Sequence, residues 1–405
     1  MLKIEVKGLT KVFGRNPKQA IKLLEKGKTK TNILKETGMT VGVNRASFEV
    51  HLGETFVIMG LSGSGKSTLI RLINRLIEPS AGSVLIDGED LAKMDKHKLR
   101  ETRRKKLSMV FQKFGLFPYR TILENAGYGL EVQGTDKKEI HERAFKALQM
   151  VGLKGYEDQY PRQLSGGMQQ RVGLARALAN DTDILLMDEA FSALDPLIRK
   201  EMQDELLELQ SSMQKTIIFI THDLDEALKI GDRIALMKDG EIVQIGTPEE
   251  IMTNPADNYV RKFVQDVDRS KVFSAQHVMK HPETINVEKH GPRVALQRMK
   301  QAGISSIYVV NKNKELLGVV TADSASEAVK NGNKDIYDVM ETDIPVVSPD
   351  LSINDLFNII HDSPVPVAVV EEKILKGIIV RGAVLAVLAG NEVDDRDTNS
   401  SNTNS

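Results

Sequence analysis

Residues 55–76 read TFVIMGLSGSGKSTLIRLINRL and join an apolar run, a glycine-rich turn and a helix-like segment. The turn fits the pattern G-x-x-x-x-G-K-[ST], which binds phosphate when it lies between a strand and a helix. Glycine lets successive N–H groups point at one anion, and the positive end of the following helix attracts the same anion. We therefore expect a strand over Thr55–Met59, a helix over residues 69–76 and a bound nucleotide phosphate between them.

Within this turn, two side chains have distinct expected roles. Lys66 would reach the β- and γ-phosphates, and the Ser67 hydroxyl would hold Mg²⁺. The residues of the turn expected to bind nucleotide are Gly60, Ser62, Gly63, Ser64, Gly65, Lys66, Ser67 and Thr68.

Length and composition limit the class of protein. The chain has 405 residues, of which 41% are hydrophobic and 27% charged, with a formal net charge of −1. These values favour a soluble globular chain of two to four domains and argue against a surface built for nucleic acid. Cysteine is absent, which excludes disulfides and Cys-ligated metal sites. No apolar run is long enough to predict a membrane-spanning helix or a signal peptide.

Other apolar runs occur at residues 184–187 (ILLM) and 216–220 (TIIFI), with helix-like segments between them. Strands that alternate with helices predict a largely parallel sheet covered on both faces. This pattern continues to about residue 246, and a helical segment is expected at residues 248–267.

The run ILLM leads into two carboxylates, Asp188 and Glu189. The first suits an Mg²⁺ site and the second can polarise a water for attack on the γ-phosphate. The alternative is that Glu189 only caps the following helix. Three further segments accompany this pair, LSGGMQQR at 164–171, SALD at 192–195 and THD at 221–223.

Together these segments resemble the nucleotide-binding subunit of ABC transporters. By that resemblance residues 60–68 form the Walker A loop, Gln112 is the Q-loop glutamine, residues 164–169 form the signature loop, and Asp188 and Glu189 are the Walker B pair. Residues 192–195 then match the D-loop, His222 the switch histidine, and Phe13 the aromatic residue that stacks on adenine. The match covers residues 1 to about 265.

The resemblance implies a homodimer with two ATP sites between chains. Walker A of one chain would bind ATP together with the signature loop of the other, and Glu189 would act as general base, with His222 orienting it. Gln112 would join Ser67 and Asp188 at Mg²⁺. The remaining residues implied to bind ATP are Ser165, Gly166, Gly167, Gln169 and Asp195.

Two segments of this domain allow alternative interpretations. Residues 15–36 carry seven Lys or Arg against two Glu, which is typical either of a solvated insertion or of a basic face that meets a membrane or a partner. The segment 111–126 resembles the docking site of a permease helix. Its aromatic residues Phe114, Phe117 and Tyr119 would line that groove or else belong to the local core.

Two similar units follow, around residues 304–323 and 363–382, and each has two short strands and a helix. They resemble a tandem of CBS domains, which pair and often bind adenine nucleotides such as cyclic di-AMP. In the first unit Thr321 and Asp323 match the phosphate and ribose contacts. The second unit has Val380 and Gly382 instead, so two equal sites are not expected. A nucleotide would bind at one cleft or at the interface between two such modules. The alternative is that the pair serves only as a dimerising spacer.

We therefore predict an α/β P-loop NTPase (ABC ATPase) domain, then an α+β tandem CBS module and a disordered tail. The expected bounds are 1–268 with an insertion at about 15–38, 269–330, 331–390, and 391–405. This combination resembles the ATPase subunit of osmoregulatory importers of glycine betaine or proline betaine. The resemblance implies a peripheral position on the cytoplasmic face of the membrane, with a permease and a fused or separate solute receptor as partners.

A basic segment suggests how such a protein could sense salt. Residues 271–300 hold six Lys or Arg against two Glu, and anionic membrane lipids attract such patches in a way that salt screens. The candidate regulatory residues are Lys289, Arg293, Arg298 and Lys300. Two other functions stay open from sequence. One is an ABC ATPase acting on DNA or ribosomes, and the other is a nucleotide-sensing module with a vestigial ATPase.

Overall fold

The structure is a computed structural model that describes residues 1–112, 114–192, 194–265 and 272–388. Contacts divide the chain into two units, Met1–Val267 and Asp268–Ser405. The predicted tail at 391–405, the predicted boundary near residue 268 and the basic residue Lys271 lie outside the described residues.

The strands of the first unit alternate with its helices, as the apolar runs predicted. The strands are β1 (Leu2–Phe13), β2 (Thr40–His51), β3 (Thr55–Met59), β4 (Ala81–Ile86), β5 (Glu89–Asp90), β6 (Leu107–Val110), β7 (Ile184–Asp188), β8 (Thr216–Thr221), β9 (Arg233–Lys238) and β10 (Glu241–Gly246). The helices are α1 (Pro17–Glu25), α2 (Lys30–Thr37), α3 (Lys66–Ile73), α4 (Lys96–Lys106), α5 (Ile122–Gln133), α6 (Lys137–Met150), α7 (Gly166–Ala179), α8 (Pro196–Met213), α9 (Leu224–Ile230), α10 (Pro248–Thr253) and α11 (Asn258–Val264).

A six-stranded sheet in the order β10-β9-β3-β8-β7-β6 forms the centre of this unit. All neighbouring pairs are parallel except β9 and β10. Every residue of β3, β7 and β8 is buried, because a parallel sheet is covered on both faces. The carboxyl ends of β3, β6, β7 and β8 therefore meet along one edge, where such sheets bind ligands.

A second, antiparallel sheet in the order β2-β1-β4-β5 packs into the same core, where the rings of Phe48 and Phe56 stack 4.9 Å apart. The insertion leaves this sheet at the end of β1 and returns at the start of β2. Its helices α1 and α2 form a small cluster with the two strands, and the buried members of that cluster are Val12, Ala20, Ile33, Met39 and Val41. The insertion is therefore a folded part of the unit. Its basic side chains are exposed except for those of Lys28 and Lys30, which are half-buried.

Two helix boundaries differ from the predicted ones. Helix α3 starts at Lys66, directly after Gly65, and ends at Ile73, so it begins three residues earlier and ends three residues earlier than expected. The helical segment expected at 248–267 contains two helices, α10 and α11, in its described residues. The break contains Pro255, which disfavours helix at the residue before it.

The second unit holds two similar three-stranded sheets. Its elements are α12 (Ala275–Val278), β11 (Thr284–Asn286), α13 (Pro292–Ala302), β12 (Ser306–Val310), β13 (Leu316–Thr321), α14 (Ala322–Lys330), β14 (Val346–Val347), α15 (Ile353–Asp362), β15 (Val367–Glu371), β16 (Ile374–Ile379) and α16 (Arg381–Leu388). The sheets have the orders β11-β12-β13 and β14-β15-β16, and in each the first pair is parallel and the second antiparallel.

The two halves of this unit pack against each other, as the resemblance to paired CBS domains implies. Tyr308 and Val319 of the first half share a buried cluster with Ala368 and Leu375 of the second. The Tyr308 hydroxyl donates to the carbonyl oxygen of Pro366. Burial raises the pKa of Tyr308 far above its ordinary value, so the hydroxyl stays protonated and keeps donating.

Candidate nucleotide-binding site

The glycine-rich turn runs from the end of β3 to the start of α3. Gly60 has φ 153° and Gly65 has φ 109°, conformations that L side chains rarely adopt. Both are also enclosed. A Cβ at Gly65 would lie 2.3 Å from the carbonyl oxygen of Gly42, and one at Gly60 would lie 2.2 Å from that of Met237. Both glycines are therefore required where the turn packs closely against neighbouring backbone.

Lys66 lies buried beneath this turn. Its Nζ donates to the carbonyl oxygens of Gly60 at 2.8 Å and Leu61 at 3.2 Å, and lies 3.7 Å from Oε1 of Glu189. Burial lowers the pKa of Lys66, and the nearby charge of Glu189 partly opposes that effect. An ammonium group held in this way is placed to meet phosphate oxygens.

Asp188 ends β7 and is almost fully buried. The Ser67 hydroxyl donates to its Oδ1 at 2.9 Å, and Nη2 of Arg71 lies 3.7 Å from its Oδ2. Burial raises the pKa of Asp188, whereas the hydrogen bond from Ser67 and the charge of Arg71 lower it. A carboxylate and a hydroxyl oxygen side by side are hard ligands that Mg²⁺ accepts.

Glu189, which follows β7, lies close to side chains that follow β6 and β8. Nε2 of Gln112, which follows β6, donates to its Oε2 at 2.8 Å, and Nδ1 of His222, which follows β8, lies 3.7 Å from its Oε1. Glu189 has φ 47°, a left-handed conformation uncommon for such a residue and often found at functional sites. Its N–H donates to the carbonyl oxygen of Ile220 at 3.0 Å, which holds it in place.

A cavity of about 400 Å³ opens beside these groups. It is lined by Phe13, Lys30, Thr40, Val41, Gly42, Ser62, Gly63, Gly65, Lys66, Ser67, Thr68, Gln112 and Glu189. The buried hydroxyl of Ser64 has no hydrogen-bond partner among the described residues, and the glycines leave room for an anion. These residues fit the phosphates of ATP.

An Mg²⁺ ion at this site would take only some of its ligands from the protein. Among the described residues, no cluster of three or more His, Cys, Asp or Glu could hold a metal ion. Mg²⁺ usually binds one or two protein oxygens and completes its shell with water and substrate phosphates. Ser67 and Asp188 supply such a pair of oxygens. Gln112 lies close to this pair because it donates a hydrogen bond to Glu189, the residue after Asp188.

The signature segment does not join this cavity. Ser165 caps α7 by accepting from the N–H of Met168, and Asp195 caps α8 by accepting from the N–H of Ile198. A Cβ at Gly167 would lie 2.7 Å from Cγ2 of the same Ile198, so the signature segment contacts the first turn of α8. Of the residues predicted to bind ATP, the cavity lining lacks Gly60, Ser64, Ser165, Gly166, Gly167, Gln169 and Asp195; Gly60 and Ser64 still belong to the turn itself.

Sequence reasoning missed three side chains near the site. Lys30 of the insertion lines the cavity, Arg71 approaches Asp188, and Arg199 links the carbonyl oxygen of Leu194 to the carboxylate of Asp223. Arg71 lies on the helix that follows the predicted turn, so its helical spacing was an available signal. Lys30 and Arg199 are brought near the site by the tertiary fold, and no local sequence pattern indicates their position.

The aromatic residues after Gln112 divide between the two predicted roles. Tyr119 is 93% exposed. The Phe117 ring packs 4.4 Å from the ring of Tyr128, and Phe114 lies near Gly166. Only Tyr119 is fully available to a partner.

Some of the predicted regulatory residues of the second unit are free to meet a ligand, and others are bonded within the unit. Lys289, Arg293 and Lys300 are exposed, whereas Arg298 is half-buried and its Nη1 donates to the carbonyl oxygen of Thr284 at 2.7 Å. Thr321 caps α14 by accepting from the N–H of Ser324, and Asp323 is exposed in the first turn of that helix. Arg298 and Thr321 therefore have structural roles within the unit.

Comparison with known proteins agrees with this arrangement. Residues 43–192 match the ABC transporter family, and residues 275–331 and 336–390 match the CBS domain. The glycine betaine transport ATP-binding protein OpuAA of Bacillus subtilis is 62% identical, over 96% of this chain and 93% of that protein. The glycine betaine/carnitine transport ATP-binding protein GbuA of Listeria monocytogenes is 60% identical, over 97% of this chain and 99% of that protein.

A solved dimeric structure of an ATP-binding cassette bound to ADP and Pi is 32% identical, with a TM-score of 0.52, and the match covers 60% of this chain and 98% of that chain. Within the described residues, no helix has the length and apolar character needed to span a membrane. Since the relatives match along nearly the whole chain, the chain belongs to the family of ABC-transporter ATP-binding proteins with paired CBS domains that includes the glycine betaine transport ATP-binding proteins, and it is an ATPase of the transport-coupled type.

Proposed function

We propose that this chain hydrolyses ATP to power the import of a compatible solute, glycine betaine or a related quaternary amine, through a membrane permease. It would be a peripheral subunit on the cytoplasmic face of the membrane. The observation that carries the proposal is the near full-length identity of 62% and 60% to two proteins named for glycine betaine transport. The solute itself would be bound by the permease and its fused or separate receptor.

The active form would be a homodimer with two ATP sites between chains. The cavity at the end of β3 is lined by the Walker A turn but not, among the described residues, by the signature segment. A second chain, placed head to tail, would supply Ser165, Gly166, Gly167 and Gln169 to that ATP, and its D-loop would bring Asp195. The dimeric state of the solved relative supports this arrangement.

Hydrolysis would depend on Glu189 as the general base. Its carboxylate would accept the proton of the attacking water, an effect worth about 10²–10⁴ in rate. Gln112 holds one of its oxygens by a hydrogen bond, and His222 lies beside the other and would orient it toward the γ-phosphate. Lys66 and the N–H groups of the turn would stabilise the charge that develops on phosphate oxygens.

Mg²⁺, when bound, would neutralise charge on the β- and γ-phosphates. Ser67 and Asp188 would hold it, and Gln112 would connect that site to the surface that meets the permease. Tyr119, because it is 93% exposed, would contact the permease helix. Phe13 lines the open side of the cavity and would stack on adenine.

The second unit would regulate transport. We propose that the exposed Lys289, Arg293 and Lys300 bind anionic lipids at low salt, since basic residues near such a surface contribute about 1 kcal/mol each and salt screens them. Arg298 would contribute less because its guanidinium already binds a backbone carbonyl. An adenine nucleotide such as cyclic di-AMP would bind at the first half, near Thr321 and Asp323. Replacing the three exposed residues by Gln should abolish salt activation of the ATPase, and unchanged activation would refute this role.

The decisive experiment is to isolate the protein from its native membrane in mild detergent and to identify the bound proteins by mass spectrometry. A stoichiometric permease is expected, and the reconstituted complex should take up radiolabelled glycine betaine only with ATP. Recovery of ribosomal proteins or DNA without a permease would overturn the transport proposal. It would leave the ATPase assignment intact.

A further inference from the structure

The insertion between β1 and β2 is held in a defined position beside the nucleotide cavity. Ala20 of α1 and Ile33 of α2 are fully buried against Val12 and Val41 of the two strands. The chain enters the insertion through Gly14, where a Cβ would lie only 2.5 Å from Cγ of Met39. Tight packing at both ends of the insertion holds the backbone of α2 in place, and this fixes the positions from which its side chains extend.

One of these side chains enters the cavity. Lys30 is the first residue of α2, directly after its cap Thr29. Its Nζ donates to the carbonyl oxygen of Gly63 at 3.3 Å, and the residue lines the same cavity as Phe13, Lys66 and Glu189. The insertion thus places an ammonium group directly on the phosphate-binding turn.

The charge of Lys30 is not paired with a carboxylate in the part of the chain that the structure describes. Lys28, two residues earlier, donates to Oε1 of Glu36 at 2.6 Å. No carboxylate of the described residues forms an ion pair with Lys30. Its bond to Gly63 is long for a charged donor, since charge-assisted bonds to oxyanions are normally about 2.7–2.9 Å. An anion in the cavity would therefore be a stronger partner than the carbonyl.

We propose that Lys30 binds the phosphate oxygens of the nucleotide, so that the insertion is part of the ATP site. This inference rests on the proposed ATPase function and adds a second lysine to it. Lysine is suited to the task because its long stem lets the ammonium group move from the Gly63 carbonyl to a nearby phosphate.

The test is the equilibrium dissociation constant of the full-length protein for Mg-ATP, measured by calorimetric titration at low salt. Lys30→Gln should weaken binding about three- to tenfold, as expected for loss of one partly exposed charge-assisted bond. Lys30→Arg, which keeps the charge, should restore most of the affinity. Lys35→Gln is the matched control, because Lys35 lies exposed on the same helix and makes the same change in net charge.

The outcomes separate the two proposals. If Lys30→Gln binds Mg-ATP as the wild type does, or if Lys35→Gln weakens binding equally, the role of Lys30 is refuted while the ATPase proposal stands. If the wild type itself binds no Mg-ATP, the proposed function fails as well. Unchanged thermal unfolding of nucleotide-free Lys30→Gln would show that any loss of affinity is not a loss of fold. If Lys30→Gln proves unstable, Lys30→Met, which also removes the charge, is compared with Lys35→Met, and only weaker Mg-ATP binding by Lys30→Met supports the inference.

Discussion

The amide of Gln112 donates a hydrogen bond of 2.8 Å to Oε2 of Glu189, although the two residues are 77 positions apart. The bond joins the segment after β6 to the carboxylate after β7. Because Gln112 begins the segment that carries the exposed Tyr119, a movement of that segment would alter the carboxylate directly. This contact links the proposed permease surface to the proposed general base.

We predict that Glu189→Gln lowers kcat for ATP hydrolysis by about 10²–10⁴ while Mg-ATP binding persists. Glutamine still accepts the hydrogen bond from Gln112 but cannot take a proton from water. Phosphate release and equilibrium nucleotide binding measure the two effects. Glu208→Gln, at an exposed position of α8, is the control. A kcat within about threefold of wild type in Glu189→Gln would contradict the role of general base.

We predict that Asp188→Asn makes the nucleotide-free protein at least as stable as the wild type at pH 7, by up to about 1 kcal/mol. Burial raises the pKa of Asp188 above its ordinary value of 3.8. Between that value and the raised pKa the folded state binds more protons than the unfolded state, so the free energy of unfolding falls as pH rises through this window. At pH 7 the full cost of the buried charge is present, and asparagine removes it.

Urea unfolding followed by circular dichroism at pH 7 and at pH 4.5 measures this effect. The advantage of Asp188→Asn should shrink at the lower pH, because a raised pKa favours the protonated form of the wild-type carboxyl as the pH falls. Mg-ATP should stabilise the wild type more than the variant, since Asp188 is a proposed Mg²⁺ ligand. A variant that is clearly less stable than the wild type at pH 7 would disprove the argument.

We predict that Arg199→Ala lowers kcat about three- to tenfold with little change in KM for ATP. Arg199 is a positioning residue, since Nη2 donates to the carbonyl oxygen of Leu194 at 3.1 Å and Nη1 to Asp223 at 3.3 Å. It thereby ties the D-loop to the segment that carries His222. Steady-state kinetics separate kcat from KM, and Lys200→Ala, the exposed neighbour, is the control. Equal kinetics in the two variants would rule out this link.

We predict that Arg381→Ala destabilises the second unit by about 1–3 kcal/mol, because it leaves partly buried carbonyls without donors. Its Nη2 donates to His361 at 2.7 Å and to Ser363 at 3.1 Å, and its Nε to Ile360 at 3.1 Å. Hydrogen–deuterium exchange of residues 353–388 should accelerate. Lys376→Ala removes only an exposed ion pair with Glu371 and should cost less than about 1 kcal/mol. Similar exchange in both variants would contradict a stabilising role for the hydrogen bonds of Arg381.

Predictions from local patterns were the most reliable. The strand, turn and helix around Gly60 and the carboxylates after β7 could be predicted because each depends on residues adjacent in the chain. The boundaries of α3 were wrong by three residues, since Gly65 and Lys66 already take helical cap positions. Of the two interpretations of residues 15–36, neither included a folded pair of helices reaching the nucleotide cavity. The sequence does predict one helical face from Ala20, Ile21, Leu23 and Leu24, and these residues lie in α1 and pack in the cluster that anchors the insertion.

Sequence was sufficient for the parallel sheet, the phosphate-binding turn, the paired carboxylates and the repeated C-terminal unit, because periodicity and spacing along the chain encode them. The contacts between distant segments needed the folded chain. Tertiary packing places Gln112 within hydrogen-bonding distance of Glu189, and Lys30 within that distance of the Gly63 carbonyl. It also lets Arg298 and Arg381 donate to backbone carbonyl oxygens. Such contacts depend on how strands order and helices pack in three dimensions, and residues far apart in sequence carry no local pattern that records them.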